Sequence, residues 1–151
     1  MIERDDYLKK LLDFKDKDLI KIVTGIRRCG KSTLFDIYIK YLKEHSIQDK
    51  QIIKINLESQ DYNFEDYKEL YNYIKERIDN SRKNYVFIDE VQRIEGFQKA
   101  IDSLYINKNI DLYITGSNAY LLSGDLATLI SGRYVEIKML PLSFKEYMSA
   151  F

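Results

Sequence analysis

A glycine-rich segment, GIRRCGKS at residues 25–32, is the pattern with the clearest chemical meaning in the sequence. It matches the spacing G-x-x-x-x-G-K-[ST], in which glycines let the backbone turn tightly and approach phosphate oxygens without a Cβ clash. The N–H groups of such a turn, together with the start of a following helix, attract an anion. The segment therefore predicts a site for the phosphates of a nucleotide.

Individual residues of this segment have separate predicted roles. Lys31 would reach the β- and γ-phosphates, the hydroxyl of Ser32 would hold Mg²⁺, and Thr33 could add a hydroxyl near the α-phosphate. Arg27 and Arg28 could contact phosphate, form salt bridges or face a partner, and the alternative is a solvated basic loop. Cys29 needs only to be small. The residues assigned to nucleotide binding are Gly25, Ile26, Arg27, Arg28, Cys29, Gly30, Lys31, Ser32 and Thr33.

A second pattern, YVFIDE at residues 85–90, places two carboxylates directly after an apolar run. A strand of this kind would bring Asp89 to the sheet edge where the phosphate-binding turn also opens. There Asp89 could bind Mg²⁺, usually through water, and Glu90 could polarise a water for attack on the γ-phosphate. Taken alone, the pattern also fits a solvated acidic turn at the end of a strand. The phosphate-binding segment upstream favours the functional interpretation.

Two further segments contain candidate reaction residues, ITGSN at residues 114–118 and SGR at residues 131–133. In the first, Ser117 or Asn118 could sense the γ-phosphate, although both residue types also cap helices well. In the second, Arg133 could stabilise charge in cis or across a subunit contact, or it could be an ordinary surface residue. The residues predicted to take part in the reaction are Lys31, Glu90, Ser117, Asn118 and Arg133.

Strands alternating with helices must position these residues. Apolar runs predict strands at residues 18–24, 51–57, 85–89, 110–115 and 134–139. Between the first four strands, apolar side chains at helical spacing predict helices that contain residues 34–42, 67–78 and 97–105. Such alternation is typical of right-handed βαβ units and a parallel sheet that is covered on both faces.

The sequence predicts that the chain is divided into three segments. Residues 1–17 form a helix packed on the edge of the domain, and residues 18–140 form its core. Residues 141–151 begin another helix, because Ser143 and Glu146 have the spacing of a capping box. Since the chain stops soon after this helix begins, we expect the 151 residues to belong to a longer protein.

Composition excludes several classes of function. The chain has 24 basic and 24 acidic residues, which excludes binding to nucleic acid through bulk positive charge but leaves a local patch possible. One cysteine and one histidine exclude a disulfide framework, a cysteine-rich zinc site and a multi-histidine metal site. We expect no signal peptide, because the first residues have neither a basic n-region nor an apolar h-region, and no apolar run approaches the roughly 20 residues of a membrane span. We therefore expect a cytoplasmic domain with no membrane partner.

Five segments in this order resemble a family of predicted prokaryotic ATPases of the AAA+ type. They are GIRRCGKST at 25–33, FIDEVQ at 87–92, TGSN at 115–118, SGR at 131–133 and LPLSFKEY at 140–147. The resemblance extends from about Arg4 to Tyr147. It implies the α/β fold of P-loop NTPases, with a parallel five-stranded sheet in the order 5-1-4-3-2. It also implies ATP rather than GTP, Glu90 as the catalytic base, and Ser117 or Asn118 as the sensor.

Two functions follow as hypotheses. The first is an ATPase core that binds Mg²⁺-ATP and hydrolyses the γ-phosphate, which the Asp89-Glu90 pair favours. The alternative is a nucleotide-dependent switch with negligible turnover, coupled to a C-terminal region that is often nuclease-like in the family and through which DNA or protein could bind. We expect the helical lid of AAA+ cores to be absent from these residues, which favours the alternative. A small-molecule kinase is disfavoured because no Gly/Arg-rich lid loop is present, and the guanine-reading Asn-Lys-x-Asp motif is missing.

Overall fold

Five parallel strands form the centre of the structure, a computed structural model that describes residues 5–25, 30–117, 128, 130 and 132–140. The sheet order is β2-β3-β4-β1-β5, which confirms the predicted order 5-1-4-3-2 read from the other edge. The strands are β1 (Ile20–Thr24), β2 (Ile52–Asn56), β3 (Asn84–Asp89), β4 (Ile110–Gly116) and β5 (Tyr134–Lys138).

The central strands β1, β3 and β4 are buried along their whole length. Near-continuous apolar runs are typical of parallel strands that are covered on both faces, and this is why the apolar runs located them. The edge strand β2 instead alternates between buried and half-buried positions. Because all the strands are parallel, the carboxyl ends of β1, β3 and β4 meet at one edge of the sheet.

Four helices cover the sheet in the described part of the chain. They are α1 (Asp5–Asp13), α2 (Lys31–Glu44), α3 (Tyr67–Arg77) and α4 (Phe97–Ile106), with 3₁₀ turns at Asp49–Gln51 and Val91–Arg93. The helices expected from apolar spacing are therefore present, and α1 contacts both α2 and β5. No helix among the described residues is long and apolar enough to cross a membrane.

Some predicted boundaries were too long. The first strand begins at Ile20 rather than at residue 18, because a turn precedes it in which the N–H of Leu19 donates to the carbonyl of Lys17 at 2.8 Å. Helix α3 begins after Asp66, whose carboxylate accepts from two N–H groups of the first turn. It ends before Ile78, which is already extended. The capping box predicted at Ser143 lies outside the described residues.

Two different cores lie on the two faces of the sheet. The face covered by α3 and α4 is packed mainly with isoleucine and leucine side chains. The face covered by α1 and α2 is rich in aromatic rings, and Phe87 of β3 stacks on Tyr113 of β4 with ring centroids 4.8 Å apart. Phe35 and Tyr38 of α2 pack edge-on or tilted against these rings. Helix α2, which follows the phosphate-binding segment, is therefore fixed directly on β3 and β4.

Candidate active site

A cavity of about 270 Å³ opens at the carboxyl edge of the sheet. Crevices at this edge are the usual ligand sites of open α/β sheets. The cavity brings together residues predicted from separate motifs, since the start of α2 meets the end of β3 there. Its lining residues are Gly30, Lys31, Ser32, Thr33, Asn56, Glu58, Asp89 and Glu90.

Lys31 is the first residue of α2 and is almost completely buried. Gly30 before it has φ 98°, a left-handed conformation that glycine adopts without steric cost. The Lys31 ammonium donates to the carbonyl of Gly25 at 2.8 Å and lies 4.0 Å from Oε1 of Glu90. A positive charge at the N-terminus of α2 therefore faces the cavity, where the helix dipole also favours an anion.

Ser32 and Asp89 meet on one side of the cavity. The Ser32 hydroxyl donates to Oδ2 of Asp89 at 2.9 Å. Burial raises the pKa of Asp89 above its ordinary value because it disfavours the charged form, although hydrogen bonds from Ser32 and Thr115 act in the opposite direction. The hydroxyl oxygen of Ser32 and the carboxylate of Asp89 are oxygen ligands of the kind that suits a hard cation such as Mg²⁺.

The donor set fits Mg²⁺ better than a metal that needs a full protein cage. Among the described residues, no three or more histidine, cysteine, aspartate or glutamate side chains group to hold a metal. Mg²⁺ usually keeps several waters and binds through one or two carboxylates plus substrate phosphates. One hydroxyl and one carboxylate beside the cavity match that requirement.

Glu90 turns back toward the cavity through an unusual backbone conformation. Its φ is 57° and its ψ is 49°, a left-handed conformation that is uncommon for residues other than glycine. Its N–H donates to Oγ1 of Thr115 at 3.0 Å, and its Oε2 accepts from Nε2 of Gln92 at 2.7 Å. Backbone and side chain are thus both held, and the second carboxylate oxygen faces Lys31.

The structure adds residues to the site that sequence reasoning missed. Thr115 is fully buried, and its hydroxyl donates to Oδ1 of Asp89 at 3.0 Å. The pairing of Ile88 with Ile114 in β3 and β4 places Thr115 beside Asp89, but this register is a non-local feature. Thr115 and Gln92 were both part of quoted segments, TGSN and FIDEVQ, without an assigned role. The Oε1 of Gln92 is buried without a hydrogen-bond partner among the described residues.

Three polar side chains from β2 and the residues after it were also missed. Lys54 lies 3.4 Å from the Ser32 hydroxyl and pairs with Asp36 of α2. Asn56 and Glu58 line the cavity directly. The side chains of β2 point alternately to the core and to the cavity side, and this pattern forms no recognisable motif. Only the position of β2 beside β3 identifies these residues as part of the site.

The candidate sensor residues lie after β4. Ser117 follows Gly116, and its hydroxyl oxygen is buried without a hydrogen-bond partner among the described residues. Asn118 lies outside the described residues, as do Ile26, Arg27, Arg28, Cys29 and Ser131. Of the two sensor candidates, Ser117 therefore has a described position, directly after the strand that contains Thr115.

Arg133 is not brought to the cavity of its own chain. It directly precedes β5, whose first residue pairs with the first residue of β1, so it lies at the amino edge of the sheet. Its guanidinium is half exposed, 3.5 Å from the carboxylate of Asp102 and above the ring of Tyr105. The phosphate-binding residues lie at the opposite edge, which leaves the subunit contact and the ordinary surface residue as the alternatives for this arginine.

Comparison with known sequences gives a family match over most of the chain. A family model whose description is an AAA domain matches residues 17–148. The chain is 49% identical over 152 residues to an uncharacterized protein of Haemophilus influenzae, covering 99% of this chain and 38% of that protein. It is 32% identical over 134 residues to an uncharacterized protein of Methanocaldococcus jannaschii, covering 85% of this chain and 28% of that protein. The chain thus spans well under half the length of these relatives.

Solved structures share the architecture at low sequence identity. A DNA polymerase III gamma subunit-related protein from Thermotoga maritima has a TM-score of 0.64 at 14% identity, covering 94% of this chain and 48% of that one. A structure of Drosophila ORC bound to AT-rich DNA and Cdc6 has a TM-score of 0.61 at 14% identity, covering 97% and 57%. At these identities the likeness shows the fold alone, and with the strand order it is the α/β fold of P-loop NTPases.

Proposed function

Since the chain belongs to the AAA domain family of ATPases, we propose that it binds Mg²⁺-ATP and hydrolyses the bond to the γ-phosphate. The observation that carries this proposal is the meeting of Lys31 and Ser32 with Asp89 and Glu90 around one cavity. A cation, a hydroxyl and two carboxylates are the groups that phosphoryl transfer to water requires.

Binding in this proposal begins with the phosphate-binding segment. The backbone N–H groups of residues 28–33, which include the start of α2, would hold phosphate oxygens, as in other glycine-rich turns before a helix. Lys31 would exchange its contact with the Gly25 carbonyl for contacts to the β- and γ-phosphates. Ser32 and Asp89 would hold Mg²⁺, which when bound neutralises charge that develops on the phosphate oxygens.

Glu90 is the proposed general base. Its Oε2 is already occupied by Gln92, so Oε1 is the oxygen that would accept a proton from the attacking water. The water oxygen would form a bond to the γ-phosphorus as the bond to the β–γ bridging oxygen breaks, giving ADP and phosphate. Lys31 would stabilise the negative charge of the phosphate in that step.

Ser117 and Arg133 have proposed roles at the two ends of the sheet. Ser117, or Asn118 beside it, would contact the γ-phosphate or the attacking water, and the buried oxygen of Ser117 without a described partner supports this role. Arg133 would serve a neighbouring copy, because its exposed position at the amino edge suits a contact between subunits. Self-association through this surface is part of the proposal.

Two variants test the assignment. Lys31→Ala should abolish ATP binding, whereas Glu90→Gln should bind ATP as the wild type does and lower turnover by about 10²- to 10⁴-fold, the range for loss of a general base. Binding is measured by titration with a fluorescent ATP analogue, and turnover by phosphate release at saturating ATP. A Glu90→Gln variant that hydrolyses ATP at the wild-type rate contradicts the assignment of the base.

The alternative function is a nucleotide-dependent switch with negligible turnover. It is supported by the relatives, because more than half of each lies outside the region that matches this chain. That remaining region could be nuclease-like and could bind DNA or protein, with the ATP state controlling how it is presented. Steady-state hydrolysis, measured with and without oligomer formation, separates the two functions, since a switch would bind ATP and leave it intact in both conditions.

A further inference from the structure

We infer that Thr115 is a positioning residue, whose single hydroxyl sets the placement of Asp89 and Glu90 relative to each other. The inference rests on the proposed ATP hydrolysis and names a residue that neither the phosphate-binding motif nor the Asp-Glu motif contains. Thr115 lies on β4, one strand away from both residues that it would control.

The hydroxyl of Thr115 makes two hydrogen bonds with fixed roles. Its proton goes to Oδ1 of Asp89, and one of its lone pairs accepts the N–H of Glu90, each at 3.0 Å. A hydroxyl has only one proton, so the bond to Asp89 and the bond from Glu90 cannot exchange roles. The side chain is fully buried, and no solvent replaces either bond if the hydroxyl is lost.

The first bond determines which carboxylate oxygen of Asp89 faces the cavity. With Oδ1 held by Thr115, Oδ2 is left to accept from Ser32 at 2.9 Å. Without the Thr115 hydroxyl, Oδ1 would be a buried charged acceptor that has lost its donor. The carboxylate could regain a donor only by rotating, and rotation would move the proposed Mg²⁺ ligand.

The second bond holds the backbone turn that places Glu90. A left-handed conformation at a non-glycine residue persists only where the surrounding structure determines it. The Thr115 oxygen is the acceptor for the N–H of this residue. Losing it would loosen the turn that directs the carboxylate toward Lys31, even though the glutamate itself is unchanged.

Packing alone does not account for a threonine here. A valine would have nearly the same shape and would bury no polar side-chain atom. Apolar residues such as valine are the ordinary choice inside a central strand. The hydroxyl has two partners and both belong to the candidate site. This is the reason to assign the hydroxyl a role in the reaction and not only in the stability of β4.

Two matched pairs test the inference in the full chain. The wild type and Thr115→Val differ mainly by the hydroxyl, and so do Thr115→Ser and Thr115→Ala. We expect Thr115→Val and Thr115→Ala to lower kcat by about 10- to 100-fold, since a small misplacement of catalytic groups has effects of this size. KM for ATP and the affinity for an ATP analogue should change by less than about threefold. Thr115→Ser should recover most of the lost kcat.

The control is Tyr113→Phe, which removes a buried hydroxyl from the middle of the same strand, where it donates to Asp111 and not to a residue of the candidate site. It should lower the thermal unfolding midpoint while kcat stays within about twofold, so that a general weakening of β4 is distinguished from positioning. If Thr115→Val does not fold, the Ser and Ala pair decides the question alone. A kcat for Thr115→Ala equal to that of Thr115→Ser overturns the inference.

The inference and the proposed function fail in different ways. If the wild type shows no ATP turnover that depends on Lys31, the proposed function is wrong and this inference falls with it. If the wild type turns over ATP and Thr115→Val retains its kcat, only the inference is overturned. A loss that is as large in Thr115→Ser as in Thr115→Val also overturns it, because the methyl group and not the hydroxyl would then matter.

Discussion

Both edges of the parallel sheet hold buried charges, and the two edges satisfy those charges differently. At the amino edge, the ammonium of Lys21 and the carboxylate of Asp111 lie 2.6 Å apart, and neither side chain is exposed. At the carboxyl edge, Lys31 and Glu90 lie 4.0 Å apart and line a cavity. The two charged groups of the first pair are in direct contact. Those of the second pair are farther apart, and a bound ligand could change the distance between them.

The amino edge is a closed network. Lys21 also donates to the carbonyl of Lys17 at 2.6 Å, and the second oxygen of Asp111 accepts from the N–H of Asp16 and from the hydroxyl of Tyr113. Tyr38 of α2 joins the network through Tyr113 at 2.7 Å. The Lys21 ammonium and the Asp111 carboxylate are thus compensated by protein groups, and the network connects the turn before β1 and helix α2 to the sheet.

The carboxyl edge has the same kinds of groups in an open arrangement. Asp89 is as deeply buried as Asp111, yet its partners are hydroxyl groups of Ser32 and Thr115 rather than a cation in direct contact. Buried carboxylates with neutral partners carry charge that a bound cation can offset. The comparison indicates that the buried charges of Lys21 and Asp111 are saturated by protein groups, whereas those at the carboxyl edge adjoin the cavity of the proposed nucleotide site.

The largest expected effect comes from breaking the closed network. Asp111→Ala would leave the Lys21 ammonium buried without its counter-ion, and we expect the free energy of unfolding to fall by about 3–5 kcal/mol. Chemical denaturation followed by circular dichroism measures this change. The folded fraction should still bind an ATP analogue with wild-type affinity, because the network lies at the edge away from the cavity.

A double variant is the control for this prediction. Lys21→Met combined with Asp111→Leu removes both charges, and such replacements of a buried ion pair are often neutral or stabilising. The double variant should therefore be clearly more stable than Asp111→Ala. If the two proteins are equally unstable, the damage comes from lost packing and the network is not electrostatic in origin.

The second prediction uses pH to separate the edges. Burial raises the pKa of Asp89, so its ionised form destabilises the folded state at neutral pH, and this cost disappears as the pH falls below its raised pKa. For Asp16 at the amino edge, burial acts to raise the pKa, but hydrogen bonds from Lys15 and Tyr85 outweigh it and the pKa is lowered. The stability that Asp16 contributes is present above pH 3.8 and is lost as the pH falls through its lowered pKa.

Asparagine variants at the two positions should respond in opposite directions. At pH 7 we expect Asp89→Asn to raise the free energy of unfolding by about 0.5–2 kcal/mol, the usual range of a stabilising substitution, because it removes a buried charge. Asp16→Asn should lower it, although asparagine tolerates the left-handed φ of 64° at this position. The difference in free energy of unfolding between each variant and the wild type should become smaller toward acid pH. For Asp89→Asn this should begin at a higher pH than for Asp16→Asn, because the pKa of Asp89 is raised and that of Asp16 is lowered. Denaturation curves at several pH values measure this, and a destabilised Asp89→Asn at pH 7 contradicts the comparison.

The two edges also differ in how far the sequence predicted them. The phosphate-binding segment and the Asp-Glu pair are local motifs at the ends of apolar runs, and a parallel sheet brings such ends together. The amino edge was missed because Lys21 and Asp111 lie inside two runs that are otherwise apolar and are separated by most of the chain. Only the register of β1 against β4 brings them into contact.

The same reasoning explains what was missed within the site. The role of Thr115 depends on the register of β3 against β4, and the left-handed turn at Glu90 depends on the bond that Thr115 provides. Neither is encoded in a local pattern. The predicted topology already contained the position of Arg133, because the residue before a parallel strand lies at the edge opposite to the one where its neighbours end, but the sequence analysis did not use it and kept a role in cis open.

The smallest expected effect lies where the two edges are linked through α2. Tyr113 uses its only proton on Asp111, so Tyr38 is the donor in the bond between the two hydroxyl groups. Tyr38→Phe removes that donor and keeps the aromatic packing, and we expect a loss of about 0.5–1.5 kcal/mol in the free energy of unfolding. Because the closed network would keep its ion pair, kcat and the affinity for ATP should stay near their wild-type values. A clear fall in kcat in Tyr38→Phe would instead show that the two edges are coupled through α2, and the division between a structural edge and a functional edge would then be wrong.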